Sequence, residues 1–125
     1  MIEFIAKGDF SKANSFFERL LELGHFGFLD KYGRMGVEAL RNFTPVDTGL
    51  LADSWRYEIE REDSNSVRLV WYNSDIEGGY NVALLVQYGH GTKNGGWVEG
   101  YDFINPAMEP IFLNILEEIT KEVNA

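Results

Sequence analysis

The chain has 125 residues, of which 45% are apolar and 25% charged, the composition of a folded globular domain. Its net charge is −9, and the second half carries most of the acidic excess. Because nucleic acids are bound mainly through Lys and Arg, this balance argues against a sequence-specific nucleic-acid site. The absence of cysteine excludes disulfides, thiolate metal sites and cysteine nucleophiles.

The amino-terminal residues have neither the basic region nor the long apolar core of a signal peptide. No apolar run approaches the length of a membrane span. We therefore expect a single domain over residues 1–125, made in the cytoplasm and without a membrane partner.

Two helices are predicted before Pro45. Apolar residues recur at helical spacing between Asp9 and Gly24, which predicts the first helix. After an irregular piece at residues 25–29, Asp30 is expected to cap a second helix that Pro45 ends.

A rigid corner is predicted directly after the second helix. Its polar side chains can satisfy nearby backbone groups, and its glycine can adopt a positive φ. The residues assigned to this corner motif are Thr44, Pro45, Asp47, Thr48, Gly49 and Leu50.

An antiparallel hairpin is expected over residues 55–72. Trp55, Tyr57 and Ile59 alternate with charged residues, which is the period of a half-buried strand. A turn at residues 62–66 leads into the β-branched and aromatic run 67–72.

Residues 73–102 hold seven of the thirteen glycines around one apolar stretch, Val82 to Tyr88. That stretch fits either a strand or a short helix. The segments around it are predicted to be long loops that reach a neighbouring subunit and become ordered on assembly. The candidate interface residues are Tyr88, Gly89, His90, Trp97 and Tyr101.

A long third helix is predicted from Asn105 as its cap and Pro106 as its first position. An apolar stripe then runs from Met108 to Val123. The expected fold class is α+β, with a small antiparallel sheet (the hairpin plus one or two strands) packed with two N-terminal helices and a long C-terminal helix.

Reactive groups are few. A nucleophile and base could be drawn from Asp47, Thr48, Ser54 and His90, but the corner interpretation of the first three is favoured. The residues available to a metal fall at no recognised ligand spacing; they are Asp75, Glu77, His90, Glu99 and Asp102. We therefore expect no enzyme, no cofactor and no metal site.

The hairpin aromatics offer an alternative function, a stacking platform in a non-catalytic intracellular binding module. Because these rings lie in strands, at least half of them are expected to face the core. The four residues are Trp55, Tyr57, Trp71 and Tyr72.

Three sequence blocks together resemble the minor tail and head–tail joining proteins of tailed bacteriophages, also called tail components or minor capsid proteins. The blocks are residues 44–51 (TPVDTGLL), residues 86–89 (VQYG) with the preceding Ala83, and residues 103–107 (FINPA). The first block is the most specific, and the match covers roughly three-quarters of the chain. The chain departs from the family at Gln87, where an acidic residue is common, and in a shorter loop at residues 94–100.

The resemblance implies a structural protein of the virion neck or tail that forms a ring, typically of six copies, with no catalysis. It implies contacts with other copies of the chain and with other neck or tail proteins. If DNA passes through the ring, an acidic lumen would let it slide, because phosphates are not held without basic groups.

Overall fold

The computed structural model describes residues 2–6, 27–46, 49–63 and 66–123. The described part is an α+β fold, as the sequence predicts. Its helices are α1 (Gly27–Phe43), α2 (Leu50–Asp53), α3 (Val82–Tyr88) and α4 (Ile104–Val123). Its strands are β1 (Ile2–Ala6), β2 (Trp55–Asp63), β3 (Ser66–Asn73), β4 (Ile76–Glu77), β5 (Tyr80–Asn81), β6 (Gly89–Gly91) and β7 (Trp97–Glu99).

The main sheet has three antiparallel strands in the order β1-β3-β2. The predicted hairpin is confirmed, and Tyr57 pairs with Trp71 in its register. The outer strand β1 was not predicted, because five residues at a chain end carry too weak a pattern to identify a strand. None of the described helices is long and apolar enough to span a membrane.

Residues 27–29 already lie in helix α1, so the expectation that they are irregular and that Asp30 caps the helix is wrong; residues 25 and 26 lie outside the described part of the chain. Asp30 instead lies in the first turn and accepts a hydrogen bond from the Tyr57 hydroxyl at 3.0 Å. The helix buries Leu29, Tyr32 and Leu40 on the face that meets the sheet and α4. The first predicted helix, at residues 9–24, lies outside the described residues.

One core joins the sheet to α1 and α4. Trp71 is fully buried, and its ring lies 6.0 Å from that of Phe112 on α4. Trp55 packs edge-on to Phe103 just before α4, at 6.3 Å. The apolar stripe of α4 is buried at Met108, Ile111 and Ile115, whereas Leu116, assigned to the same stripe, is exposed.

The glycine-rich segment is not a pair of long loops, and that expectation is corrected. The stretch Val82–Tyr88 is a helix, and two short two-stranded ribbons, β4–β5 and β6–β7, flank it. Asn81 accepts a hydrogen bond from the backbone N–H of Leu84 at 3.4 Å and so caps α3.

Candidate functional site

Thr44 ends α1 and fixes the start of the corner. It is buried, and both its backbone N–H and its hydroxyl donate to the Leu40 carbonyl. The hydroxyl also accepts a hydrogen bond from the Trp55 indole N–H at 2.8 Å. One threonine therefore caps the helix and ties it to the first strand of the hairpin.

Gly49 and Leu50 restart the chain as the short helix α2, which the sequence did not predict. Gly49 has a φ of 88°, the left-handed conformation expected of it. Its carbonyl oxygen accepts a hydrogen bond from the backbone N–H of Asp53 at 3.0 Å. The Ser54 hydroxyl donates to the Leu50 carbonyl at 2.6 Å. Asp47 and Thr48 of the predicted motif lie outside the described residues.

Asn73 connects this corner to the end of the sheet, a role the sequence did not suggest. Its buried side-chain amide donates to the Leu51 carbonyl at 2.9 Å and accepts from the Asp75 backbone N–H at 2.9 Å. The corner is thus bonded to both strands of the hairpin.

Gln87 joins α3 to the start of α4. Only 6% of its surface is exposed, and its Oε1 accepts from the backbone N–H groups of Phe103 and Ile104, each at 3.0 Å. Its Nε2 donates to the Asp102 carboxylate at 2.7 Å. Helix α4 accordingly begins at Ile104, one residue before the predicted cap Asn105, because a side chain distant in sequence satisfies its first amides.

Asp102 is held ionised by these contacts. The hydrogen bond from Gln87, helped by those from Asn105, lowers the pKa of the Asp102 carboxyl below its ordinary value of 3.8, against a smaller opposing effect of burial. A depressed folded-state pKa means that the ionised group stabilises the fold above pH 3.8. That stabilisation is lost as the pH falls through the lower, folded-state value.

We therefore predict a pH-dependent difference between the wild type and Asp102→Asn. The wild type should have the larger free energy of unfolding at pH 7, and the gap should narrow below pH 3.8 as the carboxylate is protonated. Urea denaturation from pH 7 to pH 2.5 measures both curves. If the difference in free energy of unfolding between the two proteins stays constant with pH, or widens in acid, the ionised Asp102 carboxylate does not stabilise the fold.

Two glycines let the β6–β7 ribbon pack against the end of α3. A Cβ on Gly89 would lie 2.5 Å from the Val98 carbonyl oxygen, and Gly89 has φ of 81°. A Cβ on Gly100 would lie 2.6 Å from the Gln87 carbonyl oxygen. Tyr101 then donates its backbone N–H to the Val86 carbonyl at 2.8 Å.

The turn of the ribbon closes on Thr92. The Thr92 N–H donates to the Gly96 carbonyl at 2.9 Å, and the Thr92 hydroxyl accepts from the Gly96 N–H at 2.9 Å. A further bond joins the Gly95 N–H to the Thr92 carbonyl. The turn that carries Lys93 is therefore shaped by its own hydrogen bonds.

Exposed apolar side chains concentrate on the corner and on the glycine-rich segment, which we call the corner–ribbon surface. Four of the exposed fractions there are 73% for Val46, 71% for Tyr88 and 60% each for Trp97 and Tyr101. The other exposed members are Phe43, Leu50, Ile76, Tyr80, Leu84 and Val98. Large exposed apolar patches are characteristic of binding surfaces.

Two grooves cross this surface and share Pro45 and Val86. The first, which we call the acidic groove, has a volume of about 440 Å³, an apolar lining that includes Val46, Leu50 and Val82, and the side chains of Asp75 and Glu77. The second, the ribbon groove, has a volume of about 410 Å³ and lies between the corner and the ribbon. Its lining includes Phe43, Leu85, His90, Val98, Glu99 and Tyr101.

The predicted interface residues are thus brought together, in varied roles. Trp97 and Tyr101 are exposed, and Tyr88 is more exposed than either. Gly89 serves the close packing of the ribbon. His90 is half-buried in the ribbon groove, and its Nδ1 is shielded without a hydrogen-bond partner among the described residues.

The hairpin aromatics do not form an open platform. Trp55 and Trp71 are buried, as expected for at least half of the four, while Tyr57 and Tyr72 are half-buried. Burial raises the pKa of the Tyr72 hydroxyl, with a contribution from Glu58.

The residues considered for catalysis or metal binding do not come together within the described part of the chain. The Ser54 hydroxyl proton is used within the corner, and Asp102 is bonded to Gln87 and Asn105. Within residues 2–6, 27–46, 49–63 and 66–123, no three His, Asp or Glu side chains are grouped as metal ligands.

Comparisons with known proteins give no relative for this chain. No family model matches it, and neither the curated proteins nor the solved structures contain a match.

Proposed function

We propose that the chain is a structural assembly protein of a tailed bacteriophage or prophage, which forms a ring at the head–tail junction or the tail end. The observation that carries the proposal is the corner–ribbon surface. It exposes Trp97, Tyr101 and Val46 to solvent, although the domain has a separate buried core. Trp and Tyr are enriched where protein interfaces concentrate their binding energy.

The three blocks that carry the phage resemblance contact one another, and the first two help to line the acidic groove. Pro45 and Leu50 of the first block line the acidic groove together with Val86 of the second. Gln87 of the second block bonds to Phe103 and Ile104 of the third. Blocks far apart in sequence therefore build one local structure, which supports a shared role for them.

The charge of the chain suits a ring around DNA. With a net charge of −9, a lumen formed by several copies would lack the basic stripes that bind phosphates. The proposed partners are other copies of the chain and other neck or tail proteins of the virion.

We predict that the wild type forms a closed ring as its concentration rises and that Trp97→Ala with Tyr101→Ala weakens it. The side chains of Trp97 and Tyr101 are each more than half exposed in the monomer, so their truncation removes interface contact without opening the core. The protein concentration at which half of the subunits are assembled should rise by about 30-fold or more, since one buried aromatic anchor contributes roughly 2 kcal/mol. Light scattering after gel filtration measures the mass, and electron microscopy the ring.

The matched control is Leu113→Ala with Leu116→Ala on α4. These side chains are 58% and 53% exposed, similar to the two aromatics, but they lie outside the corner–ribbon surface. Their loss should leave assembly unchanged. A wild type that is monomeric at every concentration, or a control pair that weakens assembly equally, would contradict the proposal.

A further inference from the structure

Resting on the self-assembly proposed above, we infer that the β6–β7 ribbon of one copy docks into the acidic groove of the next copy, with Lys93 facing Asp75 and Glu77. The occupant of the groove is therefore a second copy of this chain. Trp97 supplies the apolar contact and Lys93 the charge.

Charge selects the ribbon as the occupant. Lys93 is the sole Lys or Arg between residues 73 and 102. Among the described side chains, five other basic residues already bond within their own chain: Lys31, Arg41, Arg56, Arg68 and Lys121. Arg34 is also exposed without such a bond among the described residues, but it lies on α1, nine residues before Phe43, the first residue of the corner–ribbon surface.

The groove offers the complementary chemistry. Its apolar lining includes Val46, Leu50 and Val86, and its carboxylates are Asp75 and Glu77. Neither carboxylate is paired with a Lys or Arg among the described residues, and in particular neither is paired with Lys93 of its own chain. An aromatic side chain beside a cation fits an apolar groove that carries unpaired carboxylates.

The ribbon is prepared for docking. Three hydrogen bonds hold the turn between Thr92 and Gly96, so the turn loses little conformational entropy when it binds. The close packing at Gly89 and Gly100 fixes the base of the ribbon against α3.

In the proposed ring the contact is head-to-tail, because the ribbon of each copy meets the groove of the next copy and not the groove of the copy whose ribbon occupies its own groove. Such a heterologous contact closes into a ring when the rotation between copies allows it. Every copy then gives its ribbon to one neighbour and its groove to the other.

Reciprocal charge reversal tests this contact. The ribbon variant is Lys93→Glu, and the groove variant is Asp75→Lys with Glu77→Lys. No hydrogen bond or ion pair involves these side chains within the described part of the chain, so both variants should keep the wild-type thermal unfolding curve. Each alone should raise the concentration for half-assembly by about tenfold or more, since its ribbon and groove carry like charges.

An equimolar mixture of the two variants should assemble again at close to the wild-type concentration. In the mixture each ribbon finds a groove of opposite charge only on the other variant, so the copies alternate. Raised salt should weaken the wild-type and the mixed assemblies, because Lys93 and Glu77 are exposed and Asp75 is only half-buried.

The outcomes separate the two proposals. Recovery in the mixture supports the ribbon-in-groove contact. A wild type that assembles while the variants are unaffected, or while their mixture fails to recover, overturns this contact and leaves the assembly function intact. A wild type that never assembles overturns both.

Discussion

Replacing Gln87 by Met is expected to lower the free energy of unfolding by about 2–5 kcal/mol. The side chain keeps its volume, but the backbone N–H groups of Phe103 and Ile104 lose the acceptor they share at 3.0 Å. An unsatisfied buried donor costs roughly 1–3 kcal/mol; the Phe103 N–H is buried and the Ile104 N–H is partly buried, and both lose their acceptor here. Asp102 also loses the Gln87 hydrogen bond, which is the largest of the contributions that lower its pKa. Urea denaturation at pH 7 measures the loss.

The control for this variant is Asn114→Met, an amide-to-thioether change at an exposed position of α4. It should change the free energy of unfolding by less than about 0.5 kcal/mol. Gln87→Glu provides a second comparison, because its carboxylate can still accept from both N–H groups but faces Asp102 across the former 2.7 Å contact. Equal losses for Met and Glu at every pH would contradict the assigned acceptor role.

Gln87 also explains why part of the site could not be predicted. The stretch Val82–Tyr88 is apolar almost throughout, which suits a buried strand as well as a helix. The Asn81 cap favours the helix, and contacts from Gln87 to the start of α4 hold it in place. The contacts between Gln87 and the start of α4 join residues distant in sequence, so no local sequence pattern predicts them.

The corner was more predictable because its chemistry is local. Thr44 bonds to a carbonyl four residues earlier, and Gly49 adopts the positive φ that its position suggests. The short helix α2 was missed, since four residues are too few for a periodicity. The role of Asn73 was missed because its partner, Leu51, is 22 residues away.

The glycine-rich segment was misjudged for a related reason. The glycine content predicts long loops, whereas Gly89 and Gly100 allow the ribbon to approach the end of α3 more closely than a Cβ would permit. Composition alone does not distinguish a loop from such close packing. The exposure of Trp97 and Tyr101, by contrast, agrees with their place directly after Gly96 and Gly100, where little core is available to cover them.

The closeness of α1 to the sheet is likewise not visible in the sequence, and replacing Gly36 by Ala should lower the free energy of unfolding by about 1–2 kcal/mol. Its Cβ would lie 2.3 Å from Nε1 of Trp71, which is fully buried and donates to the Gly33 carbonyl at 2.9 Å. Phe112 packs near the Trp71 ring, so relief requires α1 to move away from the sheet. Overpacking costs roughly 1–3 kcal/mol, and the better helix propensity of Ala recovers up to about 1 kcal/mol.

Two further glycines of α1 make this expectation a graded series, measured by urea denaturation. Gly33→Ala would bring its Cβ to 2.3 Å from the Tyr57 ring, but Tyr57 is half-buried and can shift, so its loss should be smaller than that of Gly36→Ala. A Cβ on Gly27 would meet nothing within 4 Å among the described residues, so Gly27→Ala should be neutral or stabilising. If all three variants were equally stable, α1 could not lie as close to the sheet as its glycines indicate. The order Gly27, Gly33, Gly36 instead follows from how firmly each facing side chain is held.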